Sequence, residues 1–259
     1  MEQPVLLQRD GAIATVVLNN PDKLNALNRQ IWKQLGTVMR ELSDEESPRI
    51  IVLRGAGDQA FAAGADISEF ENERANATQA KTYGEIVEST MRAVADCRHP
   101  TVALIKGACV GGGLEVASQC DLRICGESSR FGVPINKLGL VMAYGELQGL
   151  LALAGKAVTL EILLEGRVFS ATEAKEKGLV NRVVPDEEVE QETYATACRI
   201  AEGAPLVARW HKRFIRRLEA GGELSEAERD EGFACFDTED FQIGFRSFLA
   251  KAKPQFKGR

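Results

Sequence analysis

The first clear hydrophobic signal is the run A-I-A-T-V-V-L at residues 12–18, β-branched and apolar, which predicts a buried strand. Asn19-Asn20-Pro21-Asp22 breaks it. From Asn25 to about Leu42 the residues Leu27, Ile31, Leu35, Val38, Met39 and Leu42 recur at helical spacing, and Ser47-Pro48 closes that segment. A second strand is expected at 50–53, followed by a glycine-rich turn at 55–58. The pattern then predicts a helix from about 80 to 97, a turn at Pro100 and a third strand at 101–105. A glycine-rich bend over 107–113 leads into a helix at 114–119 and a short strand at 122–125. Strand and helix alternate through this half, which predicts an α/β domain with helices packed on sheets. From about Glu187 the chain reads as helical, with segments at 206–218, 224–236 and 241–252. A helical tail after an α/β core is often an interface element.

At 259 residues the chain can bury a sizeable core without disulfide or metal staples. An apolar fraction of 44% and a charged fraction of 27% exclude a disordered chain. The 32 basic and 38 acidic side chains give a net charge of −6, and no basic run occurs, which argues against nucleic acid as the main partner. The longest uncharged apolar run is read as far short of the ~20 residues of a membrane span. Met1-Glu2-Gln3-Pro4 lacks the features of a secretory signal, so the expected location is the cytoplasm. Cys97, Cys109, Cys120, Cys125, Cys198 and Cys235 form no C-x-x-C pair and read as buried reduced thiols. With only His99 and His211 present, no metal site is expected and a Ser-His-Asp triad is a poor fit. The catalyst is expected to be a carboxylate or a backbone device.

Two stretches fit that expectation. In Ala60-Phe61-Ala62-Ala63-Gly64-Ala65-Asp66-Ile67, small residues let a ligand approach the backbone, and Asp66 can cap the next helix; a compact strand-to-helix turn is the structural alternative. In Lys106-Gly107-Ala108-Cys109-Val110-Gly111-Gly112-Gly113-Leu114-Glu115-Val116, three glycines open a helix whose first N–H groups have no intrahelical partner and sit at the positive end of the dipole. Neither G-K-[ST] nor G-x-G-x-x-G spacing is present, so an oxyanion is a better occupant than a phosphate. Glu115 lies between Leu114 and Val116, and partial burial there would raise its pKa into a useful range for proton transfer.

The segments A-F-A-A-G-A-D-I at 60–67 and G-G-G-L-E-V-A-S-Q-C-D at 111–121 resemble, in order and spacing, the two signature segments of the crotonase superfamily, the enoyl-CoA hydratase/isomerase family. The resemblance extends to N-N-P-D-K-L-N-A-L at 19–27, F-G-V-P at 131–134, S-A-T-E-A-K-E-K-G-L-V at 170–180 and F-R-S-F-L-A-K-A-K-P-Q-F-K at 245–257. It implies an α/β fold with a spiral core of ββα turns over residues 1–200 and a helical trimerisation region over 201–259. It also implies homo-oligomers, either trimers or dimers of trimers. Ala65 and Gly112 would supply the backbone N–H groups that hold a thioester carbonyl. Lys23, Ala26, Ala63, Asp66 and Ile67 would line the adenine and pantetheine path, and Phe248 and Lys251 would touch coenzyme A, often from a neighbouring subunit. Coenzyme A would arrive as part of the substrate, with no other cofactor.

The chain also departs from the family pattern. Hydratases of the family carry a second glutamate after the proline of F-G-x-P, and that position is Ile135 here. Met142 to Leu150 replace the family's P-G-A-G-G-T-Q-R-L, which places Tyr144 and Glu146 near the expected acyl pocket. Surface or packing roles are expected for both, with replacement of the missing carboxylate as the alternative. Lys106 stands where the family has asparagine. The resemblance implies hydration or dehydration of a 2-enoyl-CoA through Glu115 first, then isomerisation, then decarboxylation. An acyl-CoA-binding paralogue without turnover, motivated by Ile135, is the competing class. One branch of the family binds RNA, which the acidic balance disfavours.

Overall fold

The computed structural model describes residues 3–259. In chain order the elements are β1 (Val5–Asp10), β2 (Ile13–Leu18), α1 (Arg29–Asp44), β3 (Ile50–Gly55), β4 (Ala60–Ala62), α2 (Phe70–Glu73) and α3 (Ala77–Asp96). There follow β5 (Thr101–Ile105), β6 (Ala108–Val110), α4 (Gly112–Gln119), β7 (Leu122–Gly126), β8 (Arg130–Gly132) and α5 (Tyr144–Glu165). The remainder is β9 (Phe169–Ser170), α6 (Ala171–Glu176), β10 (Arg182–Val184), α7 (Val189–Ala201), α8 (Pro205–Glu219), α9 (Glu226–Glu231) and α10 (Glu239–Leu249).

The strands form two sheets, ordered β1-β2-β3-β5-β7-β10 and β4-β6-β8-β9. The pairs β3-β4, β5-β6 and β7-β8 each give one strand to each sheet, and a helix follows each pair. This is the spiral of ββα turns. The β2-β3-β5-β7-β10 ladder is parallel, and its inner strands are buried on both faces, as parallel sheets require. Alternate residues serve two cores. Ile50, Val52, Val102, Leu104 and Ile124 meet Val189 and Ala197 of α7. Ile51, Leu53, Ala103, Ile105 and Cys125 join the main core with Trp32, Leu35 and Met39 of α1 and Val87, Met91 and Val94 of α3.

Several boundaries differ from expectation, each for a local reason. The first helix starts at Arg29, because the Asn28 side chain accepts from Ile31 N at 2.8 Å and so caps it. Asn25 is instead buried in the left-handed region, at φ +56°. Strand β1 escaped the pattern because its second half, Gln8, Arg9 and Asp10, is exposed and polar. The segment expected as one helix at 224–236 is α9 followed by a 3-10 turn, Ala234–Asp237.

Helix α5 was also unexpected, and by length and composition alone it could cross a membrane. Gly155, at φ +72°, divides it into two shorter helical pieces. Cys97, Cys109, Cys120 and Cys125 are buried free thiols as expected, whereas Cys198 is exposed and Cys235 half-buried. Lys106 pairs with Asp58 at 2.7 Å, which ties the turn after β3 to the turn after β5.

Candidate active site

The site begins with a clamp on the segment after β4. Asn25 donates to the Ala56 and Ala60 carbonyls at 2.9 and 2.7 Å and accepts from Asn20 N at 3.1 Å. This holds residues 24–27 against 63–66. Ala63 N then donates to Leu24 O at 3.0 Å, Leu27 N to Gly64 O at 2.7 Å, and Asp66 N to Leu27 O at 3.0 Å. A trans peptide points its C=O and N–H in opposite directions, and the chain has no cis bonds among the described residues. With Gly64 O turned to Leu27, the Ala65 N–H therefore faces away from Leu27. Among the described residues it donates to no protein acceptor.

The second donor comes from the start of α4. Gly111 N donates to Gly132 O at 2.8 Å, and Gly111 O accepts from Glu115 N at 3.0 Å as the first intrahelical bond. Gly112 is therefore the first residue of the helix, and its N–H has no partner among the described residues. Gly113 must be glycine, because a Cβ there would lie 2.2 Å from Ala62 O. That close approach seats α4 directly on β4. A methyl built on Gly64 would lie 4.0 Å from Gly112 N, so the two free amides belong to adjoining pieces of backbone. At the far end of α4 the buried Arg123 guanidinium donates to the Ala117 carbonyl at 3.2 Å and to Cys120 O, and its Nε donates to Leu179 O at 2.8 Å. A cation at a helix C-terminus complements the dipole whose positive end is at Gly112.

Both amides open on one cavity of about 250 Å³, which Glu115, Glu146 and Arg74 also line. The rest of the wall is mostly apolar and includes Trp32, Phe70, Val87, Ile135, Leu140 and Val141. Glu115 is buried in the first turn of α4, and its carboxyl group makes no hydrogen bond among the described residues. Burial, and then the negative charge of Glu146, push it up to about 8, while Arg74 pulls the other way. Burial also raises Glu146, against the Ala143 N–H at 2.8 Å and Arg74, which favour its charged form. The Arg74 guanidinium lies 5.0 Å from the Phe70 ring centroid and 3.8 Å from that of Tyr83. Its Nε is buried without a partner, as is Trp32 Nε1. The cavity is thus apolar, with two free backbone donors, two carboxyl groups and one cation.

Of the residues singled out in the sequence, Ala63, Ala65, Ile67, Gly112, Glu115, Ile135 and Glu146 line this cavity. Lys23, Ala26 and Asp66 lie beside it. The Asp66 carboxylate caps the turn Ile67–Glu69 through Ser68 N and pairs with Lys23 at 2.7 Å. Burial raises the Asp66 pKa, but Lys23 and Ser68 outweigh that and hold it below the usual range. Tyr144 is 94% exposed on the first turn of α5 and is not among the residues lining the cavity. Phe248 and Lys251 lie at the exposed end of the C-terminal helix, outside the cavity of their own chain. Glu146, for which a surface or packing role was expected, accepts from Ala143 N at the start of α5 and also lines the cavity beside Glu115. Arg74 went unnoticed in the sequence, where nothing distinguishes it from other surface arginines.

Comparison with known proteins shows the family and the fold. A family model described as enoyl-CoA hydratase/isomerase matches residues 8–259. The probable enoyl-CoA hydratase echA8 of Mycobacterium tuberculosis is 36% identical over 260 residues, covering 99% of each chain. The short-chain-enoyl-CoA hydratase of Clostridium acetobutylicum is 33% identical, covering 98% of each. Among solved structures, an enoyl-CoA hydratase/carnithine racemase from Magnetospirillum magneticum superposes with a TM-score of 0.98 at 50% identity. That match covers 100% of this chain and 97% of the other.

Proposed function

This chain belongs to the enoyl-CoA hydratase/isomerase family, and on that premise we propose that it adds water to a 2-enoyl-CoA thioester, or removes it, with Glu115 as acid/base. The observation that carries this reading is the meeting of the unpartnered Ala65 and Gly112 amides with the unpartnered Glu115 carboxyl group in one cavity. The thioester carbonyl oxygen accepts from the two amides. When charge moves onto that oxygen as an enolate forms, fixed donors stabilise it without reorganising, and losing one typically costs ~2.7–4 kcal/mol of barrier. Glu115, raised to about 8, carries a proton near neutral pH and regains one readily.

Isomerisation is the second reading. Ile135 supplies no acid/base group, and one carboxyl group shuttling a proton between carbons suffices for that reaction. No cofactor enters beyond the coenzyme A carried by the substrate. Homo-oligomers also belong to this proposal, supported by the exposed Phe233, Phe236, Phe245, Phe248 and Leu249 of the C-terminal helices.

The test is a chain-length panel of 2-enoyl-CoA thioesters, followed by loss of the conjugated-thioester absorbance, with Glu115→Gln alongside. We expect turnover by the wild type and a loss of roughly 10²–10⁴-fold in the variant. Equal rates in the two proteins would overturn the role of Glu115. Binding of every thioester without product would favour the binding-protein class.

A further inference from the structure

Ile135 removes one carboxyl group from the cavity wall, but eleven residues later the chain brings in another. The N-cap of α5 is Ala143, whose side chain has no acceptor. The first turn is served instead by Glu146, whose Oε2 accepts from Ala143 N at 2.8 Å. That bond holds the carboxylate at the helix start, on the cavity wall shared with Glu115 and the two free amides. Its other oxygen has no partner among the described residues. Behind it, Glu88 of α3 packs near Gly145 but is turned outward to Arg92 at 2.6 Å. Arg74 is the one other ionisable group among the described residues lining the cavity. A cap alone does not require this charge, since a glutamine accepts from the Ala143 N–H as well.

We infer that Glu146 is a second acid/base residue of this cavity, working with Glu115 from the start of α5 in place of the carboxyl group absent at Ile135; the inference rests on the acyl-CoA reading above. The pair enters hydration with one proton between its two carboxyl groups. The ionised member takes a proton from water as the water oxygen bonds to the β-carbon. The π electrons of the C=C bond move to the α-carbon and the carbonyl oxygen, which Ala65 and Gly112 hold. The protonated member gives its proton to the α-carbon, and the pair again holds one proton. Mutual repulsion keeps the two from ionising together, which is what an acid/base pair needs.

The experiment is hydration of crotonyl-CoA by the wild type, E115Q, E146Q, A143S/E146Q and E146Q/I135E, with pH–rate profiles and melting temperatures. E146Q is expected to keep KM within a few-fold and to lose roughly 10²–10⁴-fold in kcat, with one ionisation gone from its profile. In A143S/E146Q the serine hydroxyl adds a second, independent cap to α5, so the melting temperature is at least that of E146Q while activity does not return. E146Q/I135E, with a carboxyl group restored on the opposite wall, is expected to recover at least about tenfold over E146Q. If E146Q runs within about threefold of the wild type, or if A143S/E146Q regains full activity, the inference falls. In either case an active wild type and an impaired E115Q leave the acyl-CoA reading standing. A wild type that turns over no member of the panel removes that reading, and this inference with it.

Discussion

Leu27 and Ala65 form a single parallel β-bridge, and it aims one of the two backbone amides proposed to hold the thioester oxygen. The bridge turns Gly64 O toward Leu27 N at 2.7 Å and so leaves the Ala65 N–H on the cavity side. The site therefore depends on a loop that contributes no reacting group.

Asn25 holds that loop and should be costly to lose. Asn25→Ala leaves the Ala56 and Ala60 carbonyls buried without a donor and puts alanine at φ +56°. We expect a stability loss of about 2–4 kcal/mol, read by chemical denaturation, with a fall in kcat from whatever enzyme remains folded. An unchanged denaturation midpoint would show that water replaces the side chain.

The donor at Gly112 can be deleted without rebuilding the fold. Gly112 is the first helical residue of α4, a position where proline is tolerated because its missing N–H had no intrahelical partner. A Cβ there would lie 3.1 Å from Leu27 Cδ1 and 3.2 Å from Trp32 Cζ2, tighter than ordinary contact, so those two side chains must shift by a few tenths of an ångström to admit the ring. Gly112→Pro is expected to keep the far-ultraviolet circular dichroism of the wild type and to lose roughly 10²–10³-fold in kcat. Wild-type kcat in this variant would remove Gly112 from the oxyanion site.

Glu115 should destabilise the protein as pH rises. Its folded pKa, about 8, lies above the ordinary carboxyl value of the unfolded chain, 4.5. Between those values the folded state holds a proton that the unfolded state has released, so stability contributed by this group falls with rising pH and levels off above about 8. Glu115→Gln removes the penalty. Its stability advantage over the wild type should be small at pH 4.5 and grow by at most about 1.4 kcal/mol per pH unit up to the plateau. A pH-independent difference in denaturation midpoints would contradict the buried, unpartnered carboxyl group.

Arg123 anchors the other end of α4, the helix that carries Gly112 and Glu115. Arg123→Met removes the side-chain donor from the Cys120 and Leu179 carbonyls and leaves Ala117 O with the Cys120 N–H alone. The expected loss is about 2–4 kcal/mol of stability, and kcat should fall although the residue lies outside the cavity. Intact activity in a destabilised variant would show that α4 holds its place through Gly113 and β4 alone.

Much of this molecule could be read from local pattern. The runs at 12–18, 50–53 and 101–105 are strands because β-branched apolar residues bury well on both faces of a parallel sheet. Gly111-Gly112-Gly113-Leu114-Glu115 announces a helix start with free amides and a nearby acid, because helix termini have the same unsatisfied groups in any fold. What local pattern could not supply was which distant residues share the cavity. Tyr144 and Glu146 are two positions apart in one helical turn, yet their side chains diverge, one into solvent and one onto the wall beside Glu115. The packing of α5 against α4 decides between them, and neither residue's own neighbours record it. Arg74 reaches the same cavity from the end of α2, where its aromatic partners come from Phe70 beside it and Tyr83 on α3. The ionisation of Glu115 follows from these long-range approaches, since burial and charge at a point are sums over everything nearby in space, not over neighbours in the chain.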